Sequence, residues 1–576
     1  MSASSATEST TIDSSTAIAP PLRFISFSGG GGNSHSMLAG MVAGSPDALE
    51  NAGQPRSLAS LLKSVRGISG NSGGTWFLTM LAYSNAFRKG FESRSETDRY
   101  NTTGYNGQTR RIFQGIDQTT KSIPDFSSIP YVGNTLKQAA IGFGKVRDQI
   151  DYLRRLAIGI GSIGLNWRNI VEKIVFKPYN MLTELSNIKL SGQRQPWAVD
   201  KDLLYGTALQ TAAVVMDNQN ISRDKVFVSA SRAGVSLTAQ FTPVTIASLV
   251  KSTGAKPEAR VTLNGGHNTF KYTNNKLLLA PAPVSRVIDS ELDASDLNVI
   301  EPTVASSAAP AMVAAPDSWA QRYLPGKHLS SLRNELANFT RDLSPLAQVV
   351  DGRFRMPRSL PASRNLSSSF KNISTNGYTR MADGVYIDNQ AATNMIRNIQ
   401  DKYGTQKEFH LTLFANTNQA PLTDVKMIIG PNNQQANYTV PVDIARIFGN
   451  QDGKNTDGDT LIFPDYGFNT KVPSSKVFDP IAWNNKTQPD WKYSQGDVSI
   501  SYFKLKAKTV SNAAFGIKGG QNAQVSIFLA SNLNSSWLPS DMAYLDSYDS
   551  NFNIYRKAIN SEGGFGHIKD AFGLPA

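Results

Sequence analysis

Three serines and four glycines crowd the run SVRGISGNSGGTWFLTML, residues 64–81, which then turns into an apolar segment headed by a tryptophan. Glycine weakens any helix or strand it interrupts, so such a cluster needs a geometric reason. Within it Gly70-Asn71-Ser72-Gly73-Gly74 satisfies G-x-S-x-G, the pattern of a sharp strand-to-helix turn that exposes a serine nucleophile. Ser72 would then sit at a helix amino terminus, where the dipole favours a developing negative charge. Ser69 is the decoy, because Gly67-Ile68-Ser69-Gly70-Asn71 lacks the final glycine. The chemistry implied is acyl transfer through a serine.

Such a serine needs oxyanion donors and a base. Four consecutive glycines, Gly29 to Gly32, follow the apolar run PLRFISF. They fit neither G-x-G-x-x-G nor a Walker phosphate loop, since Ser34 or His35 falls where glycine is required and no lysine follows. A row of exposed N–H groups after a strand can instead serve as an oxyanion hole. For the base there are five histidines, His35, His267, His328, His410 and His567. None sits in an evident catalytic loop; His410 reads as a packed or edge residue, and His267 and His567 as turn residues. The alternative is a carboxylate, and Asp383 in MADGVYIDNQ is set at a strand-to-loop junction by the glycine after it.

The elements that must carry these residues are α/β units. Leu22 to Phe27 reads as a buried strand, with a helix from the segment HSMLAGMVAG; Val65 to Ser69 reads as a second strand, with a helix over Thr75 to Tyr83. Trp76, Phe77, Met80 and Leu81 recur there at helical spacing. Phe409 to Asn416 reads as a further core strand. The segment IEPTVASSAAPAMVAAP is rich in small residues and suggests tight helix packing.

SGGGG before a helix, ISGNSGG with its tryptophan-headed helix, ASSAAPAM and MADGVYIDN, in that order from Ser28 to Asn389, resemble the patatin-like lipases and the catalytic domain of cytosolic phospholipase A. The resemblance implies a three-layer α/β/α core and a Ser-Asp dyad without histidine, carried onto Ser72 and Asp383. It further implies oxyanion donors at Gly30, Gly31 and Gly32, joined by the N–H of Gly73 after the nucleophile, and ester hydrolysis with no metal or other cofactor. These phospholipases commonly carry an arginine just after the glycine loop; here Asn33 and His35 stand nearest and are the candidate headgroup contacts. Phospholipid, neutral glycerolipid and galactolipid substrates all stay open, as do transacylation and a non-catalytic lipid-binding or storage role.

Length and charge complete the reading. The chain has 576 residues, exceeding a usual single core. The expected division is a tail over 1–19, a hydrolase core over 20–420 with a cap or lid inserted at about 85–299, and an extension over 421–576 packed on the core. Absence of cysteine excludes disulfides and thiolate chemistry. A net charge of +13 favours an anionic partner; nucleic-acid recognition signatures are missing, which puts an anionic membrane surface ahead, with a plain solubility role for the charge as the alternative. The stretch around Lys137, Lys145, Arg147, Arg154 and Arg155 could form an interfacial helix. Neither a secretory signal nor a bilayer-spanning run is evident, so a cytoplasmic or peripheral membrane protein is expected.

Overall fold

The computed structural model describes residues 21–92, 167–177, 181–211, 239–251, 256–263, 269–273, 276–280, 290–295, 297–307, 380–417, 428–429, 434–435, 442–449, 460–465, 468–472, 475–484, 486, 488–532, 543–561 and 563–574. The N-terminal tail, the basic stretch over 134–161, His267 and His328 lie outside them.

The described residues form a mixed α/β structure around one 13-stranded sheet. Its strands, in chain order, are β1 (Leu22–Phe27), β2 (Val65–Asn71), β3 (Asp202–Thr211), β4 (Ala239–Leu249), β5 (Glu258–Leu263), β6 (Ser290–Asp293), β7 (Arg380–Asp383), β8 (Phe409–Thr417), β9 (Thr460–Asp465), β10 (Phe468–Val472), β11 (Trp491–Gln495), β12 (Val498–Lys508) and β13 (Asn522–Asn532). Five of them, in the order β3-β2-β1-β8-β13, are parallel. Antiparallel strands extend both flanks, β4 beside β3 and β12 beside β13.

Helices cover both faces of the parallel region. Successive side chains alternate between the faces of a strand, and Phe24 and Phe27 of β1 therefore point oppositely. Phe27 meets Phe77 of helix α2 (Gly73–Tyr83), while Phe24 meets Tyr403 of α4 (Ala392–Tyr403). On the Phe27 side lies α1 (Gly31–Asn51), whose His35 packs edge-on against Phe77. A strand buried on both faces reads as largely apolar text; in LRFISF the buried Ser26 satisfies its hydroxyl on the Gln390 carbonyl, and Arg23 stands at the less buried start of the strand.

Between α2 and α4 in sequence comes α3 (Ile300–Ser306), fully buried and packed against α2 through a hydrogen bond between Thr303 and Thr79 hydroxyls, 2.6 Å apart. Two C-terminal helices follow the last strand, α5 (Ala543–Ile559) and α6 (Gly564–Phe572). Gly40 and Gly44 let α1 lie against α5: a Cβ at Gly40 would stand 2.5 Å from the Phe552 carbonyl oxygen, and one at Gly44 2.8 Å from that of Arg556.

Several elements differ from expectation. Helix α2 begins at Gly73 rather than Thr75, and β2 runs on to Asn71, so strand and helix meet with Ser72 alone between them. β3 to β6 come from the stretch expected as a cap, yet they are strands of the central sheet. β13 pairs residue for residue with β8, so the C-terminal stretch continues the same sheet. His567 lies within α6 rather than in a turn, its ring 4.4 Å from that of Tyr502. No helix among the described residues is long and apolar enough to cross a membrane.

Candidate active site

One strand, β3, brings two distant parts of the chain together. Its first half pairs in parallel with β2, ending with Asn71 opposite Gly206. Its second half pairs on that same side with antiparallel β7, beginning with Asp383 opposite Thr207. The carboxyl ends of β2 and β7 thus meet head to head at adjacent residues of β3. Ser72 follows the one and Asp383 closes the other.

Ser72 Oγ donates to Asp383 Oδ2 at 2.8 Å, across 311 residues of sequence. Ser72 has φ 47° and ψ −123°, a region that non-glycine residues occupy at a cost of order 1–3 kcal/mol and that clusters at functional sites. Its hydroxyl caps no backbone N–H of α2, although it holds the N-cap position. Both Ser72 and Asp383 are buried, at 7% and 2% exposure.

The glycines have distinct steric reasons. A Cβ at Gly73 would lie within 2.8 Å of the N, C and O of Gly31, and one at Gly74 within 2.9 Å of the Phe27 and Ser28 carbonyls. The start of α2 is therefore pressed directly onto the glycine loop. In that loop Gly30 and Gly31 adopt φ 130° and 55°, conformations that favour glycine. Among the described residues no hydrogen bond uses the N–H of Gly30, Gly31 or Gly73. Gly31 and Gly32 are the first two residues of α1, where helical N–H groups have no intrahelical acceptor.

The loop is anchored on both sides. Ser28 N–H donates to the Phe414 carbonyl at 3.0 Å and Gly29 N–H to that of Asn389 at 2.9 Å. Asn416 N–H donates to Ser28 Oγ at 3.1 Å, and its side-chain nitrogen lies 2.6 Å from where a Cβ of Gly30 would be. Asn71 donates to the Asp388 carbonyl, and its amide fills the space left by the missing side chains of Gly206 and Gly384. The Asp388 carboxylate accepts from Gln390 N–H, Thr393 N–H and Thr393 Oγ1 at 2.7–3.0 Å; burial raises its pKa against those bonds.

Asn33 and His35, the expected headgroup contacts, both lie buried in the first turns of α1. Asn33 is 3% exposed and His35 is fully buried on α1, where desolvation lowers the imidazole pKa to about 3. Both are buried because the first three turns of α1 are covered nearly all round, with α2 and α5 packed against the helix. His410 is packed, as expected, with Nε2 2.8 Å from Ser526 Oγ and Arg23 donating to Nδ1.

Sequence reasoning passed over Ser306, Asn71, Gly206, Asn389 and Asn416. Gly206 and Asn416 lie in no motif, and Asn71 and Asn389 stand inside quoted motifs at positions to which no role was given. Ser306 lies in ASSAAPAM, where a hydroxyl among small apolar residues was a signal available to be read.

No family model and no curated protein matches the chain. Among solved structures, human GIVD cytosolic phospholipase A2 is similar to it over 96% of this chain and 63% of that one, with 12% identity and a TM-score of 0.31. The chain thus spans less than two thirds of that structure's length.

Proposed function

We propose that this protein is a serine hydrolase of fatty acyl esters on a patatin-like core, with Ser72 as nucleophile and Asp383 as base. The observation that carries the reading is the 2.8 Å hydrogen bond between their side chains, made by a serine with positive φ at a strand-to-helix turn. No histidine is needed at such a pair, because the carboxylate itself receives the proton. Asp383 takes the Ser72 proton as Oγ attacks the acyl carbonyl; the N–H groups of Gly30, Gly31 and Gly73 receive the oxyanion; collapse expels the alcohol, which takes up the proton from Asp383. Water, activated by the same carboxylate, then releases the fatty acid. The substrate class, a phospholipid or other glycerolipid at an anionic membrane surface, follows from the motif resemblance and from the charge of +13.

The test is labelling with a serine-directed fluorophosphonate together with hydrolysis of a short-chain ester and of phospholipid vesicles. Parent protein is expected to label and turn over. Ser72→Ala abolishes both, and Asp383→Asn lowers turnover by at least about a thousandfold, since it removes the base outright. Folded Ser72→Ala with parental hydrolysis overturns the reading.

A further inference from the structure

We infer that Ser306 is the positioning residue that fixes Ser72 and Asp383 at reacting distance; the inference rests on the dyad reading above. Ser306 ends α3, and three bonds join it to three different elements. Its Oγ accepts from the backbone N–H of Ser72 at 3.0 Å. The same hydroxyl donates to the carbonyl oxygen of Gly206 on β3 at 2.5 Å. Its own carbonyl, one of those a helix terminus leaves without an intrahelical partner, accepts from Gly384 N–H at 3.1 Å. One residue thus grips the peptide of the nucleophile, the peptide following the base and the strand that registers both. Ser306 is fully buried, so no solvent molecule replaces its hydroxyl without rearrangement.

Two consequences set this apart from ordinary packing. Ser72 is held at φ 47°, and a strained residue persists only where its surroundings over-determine it; the bond to its N–H is such a constraint. That bond also occupies the Ser72 N–H, which assigns oxyanion binding to Gly73 and the glycine loop. Adjacent Ser307 provides a control within the same segment: it is equally buried, and its hydroxyl donates only to the Thr303 carbonyl one turn back, at 2.7 Å.

The experiment compares Ser306→Ala, Ser307→Ala and Ser72→Ala for fluorophosphonate labelling rate, kcat and KM on a short-chain ester, and thermal midpoint. Ser306→Ala is expected to lower kcat and the labelling rate in the same proportion, by about ten- to a hundredfold, with KM unchanged. Its thermal midpoint should fall further than that of Ser307→Ala, which loses one buried bond rather than two and keeps parental kinetics. If Ser306→Ala fails to fold, Ser306→Cys answers the same question, since a thiol, though somewhat larger, fills the hydroxyl's place while being a weak donor and acceptor; parental labelling in that variant overturns the inference. Labelling lost in Ser72→Ala but equal in the Ser306 and Ser307 variants overturns the positioning role alone. Labelling that survives in Ser72→Ala overturns the hydrolase reading, and the positioning role with it.

Discussion

Ser69 and Ser72 stand three residues apart in the same glycine-rich run, yet their hydroxyls meet different partners. Ser69 lies on β2, fully buried, its proton shared between Ser26 Oγ and the Ala391 carbonyl, each 2.9 Å away. Ser72 is one turn of backbone further on, where the strand has ended and the side chain reaches Asp383. Ser69→Ala is expected to cost about 1 kcal/mol, the usual net worth of a buried hydrogen bond, seen as a lower denaturant midpoint, while labelling at Ser72 continues. Loss of labelling in a folded Ser69→Ala variant would contradict the assignment of the elbow. The distinction was legible in the sequence, because the glycine needed after the turn follows Ser72 by two positions and is missing after Ser69. The burial of Asn33 and His35 was not, since it depends on the distant helix α5 packing on α1 together with α2.

At the scale of elements, the junction of α2 with the glycine loop is the tightest backbone approach near the site. Gly73 has no positive φ, so any substitution there acts by bulk alone. Gly73→Ala should drive the first turn of α2 away from Gly31, with an overpacking cost of about 1–3 kcal/mol and a loss of labelling out of proportion to it. Gly566, exposed on α6 with open space around it, gives the contrast. Gly566→Ala should leave labelling intact and stabilise by up to about 1 kcal/mol, the helix preference of alanine over glycine. Comparable loss of labelling in both variants would remove the junction from the argument. The strand-turn-helix units around Gly29–Gly32 and Ser72 were readable because glycine punctuates them locally. What local sequence could not convey was pairing: nothing in RMAD announces that Arg380–Asp383 docks antiparallel on β3 just beyond the end of β2. That non-local register is what brings Asp383 to Ser72, and the same holds for Ser306, whose three bonds all cross between elements.

Over the whole molecule, the response to acid follows from histidines the proposed chemistry does not use. His35 is buried against Phe77, and His410 on β8 is buried beside Arg23; both have imidazole pKa values pushed from 6.5 down to about 3, chiefly by desolvation. Arg23 and Lys504 reinforce the shift at His410, and Asp570 opposes it. Below pH 6.5 the unfolded chain binds a proton at each of these residues while the folded chain does not. Stability therefore falls as pH falls, by up to about 1.4 kcal/mol per pH unit for each histidine until pH approaches 3. Buried Asp388 and Glu301, whose pKa values are raised, act in the opposite direction as they take up protons, so the net slope of the parent does not isolate the histidines. A substitution does. His410→Gln retains a donor for Ser526 and an acceptor for Arg23 but cannot be protonated. The unfolding free energy of His410→Gln, measured from pH 7.5 to pH 5, should run parallel to the parent near pH 7.5 and become shallower below about pH 6. The difference in slope should approach one proton, about 1.4 kcal/mol per pH unit. Labelling at Ser72 should be unaffected at pH 7.5, because His410 stands at the opposite end of the parallel strands from the serine. Identical slopes in parent and variant would mean that His410 takes up its proton in the folded protein, and that the Arg23 contact yields to it.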